Sequence, residues 1–105
     1  MKIIDNPCSV RMSISIKKIK PFVNVCKVTG QKENCNVEIE YIPDRRLVEL
    51  ASYREYFEKG FNEYIEKLCE NVFNELEKLL QPKYLRVRIY MDEATLTPWH
   101  VEMIT

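Results

Sequence analysis

Asn36-Val37-Glu38-Ile39-Glu40-Tyr41 alternates polar and apolar side chains without interruption. That two-residue period marks a β-strand with one face in a core: Val37, Ile39 and Tyr41 point inward, Asn36, Glu38 and Glu40 outward. Upstream, Ser9 to Lys17 repeats the pattern, with Val10, Met12, Ile14 and Ile16 on one face and Arg11, Ser13, Ser15 and Lys17 on the other. The two strands are predicted to pair antiparallel across a connection spanning 21–34, a length that in a compact domain usually carries function. Downstream, Pro43-Asp44 ends the strand and makes Asp44 the predicted N-cap of a helix. Leu47, Leu50, Tyr53, Arg54 and Phe57 trace one side of that helix to Lys59, where Gly60 permits a break. Phe61, Ile65, Leu68, Val72, Leu76 and Leu79 then recur at spacings of three and four, and Gln81-Pro82 stops this second helix. Two more alternating runs close the pattern, Leu85 to Met91 and Trp99 to Ile104. The order ββααββ predicts an α+β domain over 1–105, a four-stranded antiparallel sheet with both helices on one face. Its edge strands predict that copies join into a closed barrel, which makes the protein a homo-oligomer.

With 105 residues the chain has room for one modest core. Sixteen basic residues balance sixteen acidic ones, so any polyanion must meet a local patch rather than a global field. No run has the length of a membrane span and no signal-peptide core opens the chain, so a cytoplasmic address is expected. Cys8, Cys26, Cys35 and Cys69 form no Cys-x-x-Cys pair and His100 is the single histidine, so no metal site is expected. Cys26 and Cys35 flank one loop and are placed to meet under oxidation.

Within the connection, Cys26-Lys27-Val28-Thr29-Gly30-Gln31-Lys32-Glu33 sets a thiol and a carboxylate at the two ends of a turn. That pair can add sulfur to an electrophilic carbon and handle the accompanying proton, and Lys27 and Lys32 are placed to favour the thiolate. The competing reading is an ordinary loop, with Cys26 a small hydrophobe at a strand end and Glu33 a solvated residue.

The run Phe22 to Glu33, followed by Val37-Glu38-Ile39-Glu40-Tyr41-Ile42-Pro43, resembles the nitrile reductases of queuosine biosynthesis (QueF) and their archaeal QueF-like relatives, the amidinotransferases that make archaeosine in tRNA. The Cys-x-x-Thr-Gly-Gln loop and the Tyr-Ile-Pro strand end carry the likeness, which extends to Gln81-Pro82-Lys83-Tyr84. The resemblance implies the tunnelling fold, whose repeat unit has the order ββααββ, and a homo-oligomer built as a decamer of two pentamers. It implies that Cys26 is the nucleophile that adds to the nitrile of 7-cyano-7-deazaguanine as a covalent thioimidate. Glu33 falls where the family has a proton-handling aspartate. Glu66 matches the glutamate that binds the base edge, a task suited to two oxygens facing adjacent N–H donors. Ile65 replaces the family histidine that precedes it. Read without the family, Glu66 is a plain exposed helix residue.

The reductase motif aligns with Glu49-Leu50-Ala51-Ser52-Tyr53-Arg54-Glu55-Tyr56. Glu49 and Ser52 fit it and are carried over as substrate-binding residues with Glu66. Ala51 and Arg54 replace its two lysines, and Glu55 adds a negative charge where a cofactor phosphate needs positive ones. The implied activity is therefore an amidinotransferase that needs no cofactor, acting on tRNA that carries 7-cyano-7-deazaguanine, with ammonia or another amine as donor. An NADPH-dependent reductase and a non-catalytic tRNA- or purine-binding relative are the alternatives. Arg86 and Arg88, with Arg11 and Lys17, are the predicted RNA contacts once oligomerisation gathers them.

Overall fold

A computed structural model of the chain describes residues 1–91 and 99–105. Its strands are β1 Ile3–Asp5, β2 Ile14–Ile16, β3 Phe22–Val25, β4 Lys32–Ile42, β5 Arg46–Val48, β6 Tyr84–Met91 and β7 His100–Ile104, and its helices are α1 Leu50–Glu58 and α2 Ile65–Leu80. The main sheet is antiparallel, with β4 at its centre, β6 and β7 on one side, and β2 and β3 sharing the other. Its lanes match the expected four, and both helices cover one face. Cys35, Val37, Ile39 and Tyr41 of β4 and Leu85, Val87 and Ile89 of β6 are buried in one cluster with Tyr53 and Phe57 of α1 and Leu68, Val72, Leu76 and Leu80 of α2. Among the described residues no helix is long and apolar enough to cross a membrane.

Several local expectations give way to long-range pairing. The strand expected over Ser9–Lys17 shrinks to Ile14–Ile16 because Ile14 already lies opposite Tyr41, near the end of β4. Among the described residues, none pairs with 9–13 in a ladder, and Val10 is 77% exposed. The 21–34 connection is not a long loop. Its first part is β3, paired with β4 from Phe22 opposite Cys35 to Val25 opposite Lys32, which leaves only 26–31 as the turn. Asp44 does not cap α1, because β5 follows it and is held in a ladder with β1. Glu49 caps the helix instead, its carboxylate accepting from the N–H groups of Ala51 (2.6 Å) and Ser52 (3.0 Å). Phe61 likewise lies outside α2, since its backbone is bonded to β3.

The shared lane of β2 and β3 depends on Asn36, expected to face outward but fully buried. Between Ile16 (opposite Ile39) and Phe22 (opposite Cys35) the register slips by two residues. Asn36 spans the slip: its Nδ2 donates to the Ile19 carbonyl (3.0 Å) and its Oδ1 accepts from the Ile19 N–H (3.2 Å). A side-chain amide thus replaces a missing ladder rung. Because the slip is even, Ile14, Ile16 and Phe22 all keep facing the helices.

Asn36→Ala is expected to orphan both buried Ile19 groups and to lower stability by about 2–4 kcal/mol. Urea denaturation monitored by circular dichroism checks this; an unchanged midpoint means the amide is dispensable.

Candidate active site

The row of β4 side chains that faces the helices begins polar and turns apolar: Glu33, Cys35, Val37, Ile39, Tyr41. On β3 the matching row is Phe22 and Asn24, with Cys26 just beyond the strand end. The core thus runs straight into a polar end, where the connector between the helices covers the sheet. Gly60 turns out of α1 at φ +72°, and a Cβ there would sit 3.2 Å from the Val23 carbonyl oxygen. That same carbonyl accepts from the Phe61 N–H (3.0 Å), and Val25 N–H donates to the Phe61 carbonyl (2.8 Å), so the connector runs beside β3 as a short parallel rung.

Asn24 locks this arrangement and is fully buried. Its Nδ2 donates to Glu33 Oε1 (3.0 Å) and to the Glu63 carbonyl (2.9 Å), and its Oδ1 accepts from the Glu63 N–H (3.1 Å). One amide therefore holds the Glu33 carboxylate and places Glu63 beside it. A cavity of about 370 Å³ opens there, lined by Cys26, Glu33, Glu63, Glu66, Tyr64 and Trp99 among others. Cys26, Glu33 and Glu66, three residues expected to act together, share this wall.

The turn is built around sulfur. Cys26 N–H donates to the Gln31 carbonyl (2.9 Å), and Gly30, at φ +72°, donates to the Cys26 carbonyl (2.8 Å). The Thr29 Oγ1 accepts from Gln31 N–H (3.2 Å). The Thr29 hydroxyl, followed by the backbone N–H groups of Thr29 and Val28, donates to the Cys26 sulfur and holds its pKa below the ordinary thiol value, while Glu33 opposes this weakly. Of the two lysines expected to favour the thiolate, one is engaged elsewhere. Lys27 is drawn to Glu63 (Nζ–Oε1 3.1 Å), whose carboxyl lies below the usual range because of that bond. Cys35 is a different thiol: burial pushes it up to about 12, and its Sγ lies 3.7 Å from the Glu33 carbonyl oxygen. Both cysteines are free, Cys35 buried and Cys26 half-exposed, so the anticipated contact between them is not made.

Glu49 and Ser52 do not line this cavity. Glu49 is occupied as the α1 cap, and the buried Ser52 accepts from Lys2 N–H (2.8 Å) and donates to the Glu49 carbonyl (2.8 Å). Arg86, expected to meet RNA, is matched by Glu38 (3.4 Å) and by a second bond to Glu102. Arg88 lies over the Tyr90 ring, 4.5 Å from its centre. Asn24 and Glu63 were not singled out by sequence reasoning. Asn24 was accessible through the Phe22-Asn24-Cys26 period, whereas Glu63 reaches the site only through the connector's pairing with β3.

A family model described as QueF-like protein matches residues 33–93. Three curated relatives are named NADPH-dependent 7-cyano-7-deazaguanine reductase. That of Desulfovibrio desulfuricans is 35% identical over 64% of this chain and 41% of its own length. That of Thermoanaerobacter pseudethanolicus is 37% identical over 63% and 51%, and that of Rhodopirellula baltica 28% identical over 83% and 74%. The chain thus spans about half or less of the first two. Two crystal structures share the tunnelling fold. One, described as the archaeosine synthase QueF-Like in its apo form, matches with TM-score 0.69 at 16% identity over 91% of both chains. The other, a putative dihydroneopterin aldolase of Vibrio cholerae, matches with TM-score 0.64 at 13% identity over 91% of this chain and 99% of its own.

Alkylation of Cys26 by iodoacetamide, followed by mass spectrometry across pH, is expected to inflect below the ordinary thiol value of 9.0. In Thr29→Val the inflection moves upward, because the neutral methyl cannot donate to the thiolate. An identical profile in the variant assigns the activation elsewhere.

Proposed function

Since the chain belongs to the QueF-like protein family, we propose that it is a tRNA amidinotransferase acting on 7-cyano-7-deazaguanine, with Cys26 as nucleophile and Glu33 as proton carrier. The observation that carries this reading is the shared cavity of Cys26, Glu33 and Glu66, with the sulfur half-exposed to it. Sulfur bonds to the nitrile carbon, one π bond of the nitrile opens, and the thiol proton passes through Glu33 to the nitrile nitrogen, giving a thioimidate. Ammonia then bonds to the same carbon and the C–S bond breaks. The proton lost by the incoming nitrogen returns through Glu33 to the departing sulfur, and an amidine remains. Glu66, exposed in the first turn of α2, offers two oxygens to the N–H edge of the base, and the exposed Tyr64 ring and half-buried Trp99 offer stacking surfaces.

Departures from the reductase motif favour ammonia over hydride as the second reactant. Ala51 removes one of the reductase motif's lysines and Glu55 adds a negative charge, while Arg54 keeps a cation in place of the second lysine; losing a cation facing a phosphate costs about 1.5–3 kcal/mol per charged hydrogen bond. The reductase reading is supported by the names of the curated relatives, and NADPH oxidation in the presence of the nitrile base distinguishes it. We place the working form in a homo-oligomer closed through the exposed edges of the sheet.

Incubation with 7-cyano-7-deazaguanine is expected to give a covalent adduct by mass spectrometry that is absent in Cys26→Ala. In Glu33→Gln the adduct forms about 10²–10⁴-fold more slowly. Nitrile-bearing tRNA and an ammonium salt, with no reductant, yield archaeosine; NADPH-dependent amine formation instead assigns the reductase.

Asn24→Ala is expected to slow adduct formation about tenfold or more by freeing the Glu33 carboxylate. In a Glu33→Ala background the same change has little further effect. Equal losses in both backgrounds reduce Asn24 to a purely structural residue.

A further inference from the structure

A cavity of about 590 Å³ lies away from Cys26 at the end of α1. Its floor is apolar, with Ile19 and Phe22 buried, and its rim carries Lys20, Arg54 and Lys59 against the single carboxylate of Glu58. Among the described residues none of the three cations forms an ion pair. Lys59 is held in position by aromatic rings, its Nζ 4.5 Å from the centre of Tyr56 and 5.3 Å from that of Phe61. An excess of two positive charges therefore converges on one hollow in a chain whose net charge is zero.

This hollow is not isolated. A second depression, about 430 Å³, shares Val23, Lys59 and Gly60 with it and continues along β3 to Val25 and Asn62. The next residues on both sides, Cys26 and Glu63, line the active-site cavity. The first two depressions form one cationic groove along β3 and the helix connector, and the active-site cavity opens just past its end, with no lining residue in common. Val23 and Cys26 are separated by about 10 Å of extended chain, longer than one nucleotide repeat.

We propose that this groove holds a single-stranded RNA segment, with backbone phosphates at Lys20, Arg54 and Lys59 and the base to be modified at Cys26. The proposal rests on the tRNA reading above and supplies the local cationic surface that the balanced net charge requires. A cationic groove lined with rings is the general form of a single-strand site, because phosphates follow the charge and bases stack on the aromatic faces. It also replaces Arg86, whose charge is already matched, as the principal phosphate contact.

The test is fluorescence anisotropy with a labelled tRNA transcript and a labelled single-stranded RNA oligomer, across a series of potassium chloride concentrations. The triple variant Lys20→Ala/Arg54→Ala/Lys59→Ala is expected to bind at least about tenfold more weakly at low salt. Its log–log salt slope falls by about 2, at about 0.7 per phosphate contact on a single strand. The rate at which the free nitrile base forms an adduct at Cys26 stays at the wild-type value. Lys20→Glu/Arg54→Glu, which leaves the Lys59 stacking intact, repeats the loss if the triple variant folds poorly. Unchanged affinity and slope overturn the proposal, as does wild-type protein that binds no RNA. Loss of NADPH binding or of self-association in place of RNA binding reassigns the groove and also overturns it. RNA binding that depends on these residues, in a protein that forms no adduct, keeps the groove and removes the amidinotransferase reading.

Discussion

A buried side-chain amide is the constraint from which the site follows. Asn24 is wholly withdrawn from water, so each of its polar atoms needs a partner inside the fold. It finds them in the Glu33 carboxylate and in both backbone groups of Glu63. Leaving any of these unmet would cost on the order of 1–3 kcal/mol, which favours one placement of the connector against β3 over its alternatives. Backbone bonds from Val23 and Val25 to Phe61 reinforce that placement. The Glu33 carboxylate, the strand leading to Cys26 and the start of α2 are thereby held in one frame. The same demand explains the polar end of an otherwise apolar row, because a leucine at position 24 would gain burial but leave Glu63 without partners.

Asn36 performs the parallel service at the other end of the lane, and the two asparagines divide the work. One repairs the ladder where β2 gives way to β3; the other binds the lane to the helices. Both replace backbone pairing with side-chain amides, which offer a donor and an acceptor in one plane. The region between them includes Phe22, whose ring lies 5.0 Å from that of Phe57 and 5.6 Å from that of Phe61, joining both sides of the connector to the sheet.

Much of this was legible in the chain because period-2 and period-3.6 patterns report which faces are buried. Val37, Ile39 and Tyr41, the α2 stripe Leu68, Val72 and Leu76, and Leu85, Val87 and Ile89 all lie where their spacing put them, whereas the stripe closes on buried Leu80 rather than the expected Leu79. The failures share one cause. β1, β3 and β5 are short strands whose existence depends on partners distant in sequence, and local propensity carries no information about those partners. Asn24 hid β3 further, since a polar residue in an inward position breaks the apolar alternation. The site was legible in part: the thiol and the acid stand out within the turn, and their likeness to a known family added Glu66. Part of the thiolate's support was hidden, because charge is visible in a sequence whereas the orientation of a threonine hydroxyl is not.

The two-residue slip between β2 and β3 has a bearing on how this lane can change over evolutionary time. Side chains alternate sides at every step, so parity decides which face a residue occupies. Gaining or losing a pair of residues between Ile16 and Phe22 leaves Phe22, Asn24 and Cys26 turned toward the helices. Gaining or losing one sends all three to the opposite side, emptying part of the core and turning the Cys26 thiol away from its cavity in a single event. Length drift in that short bend is thus confined to even-numbered insertions and deletions.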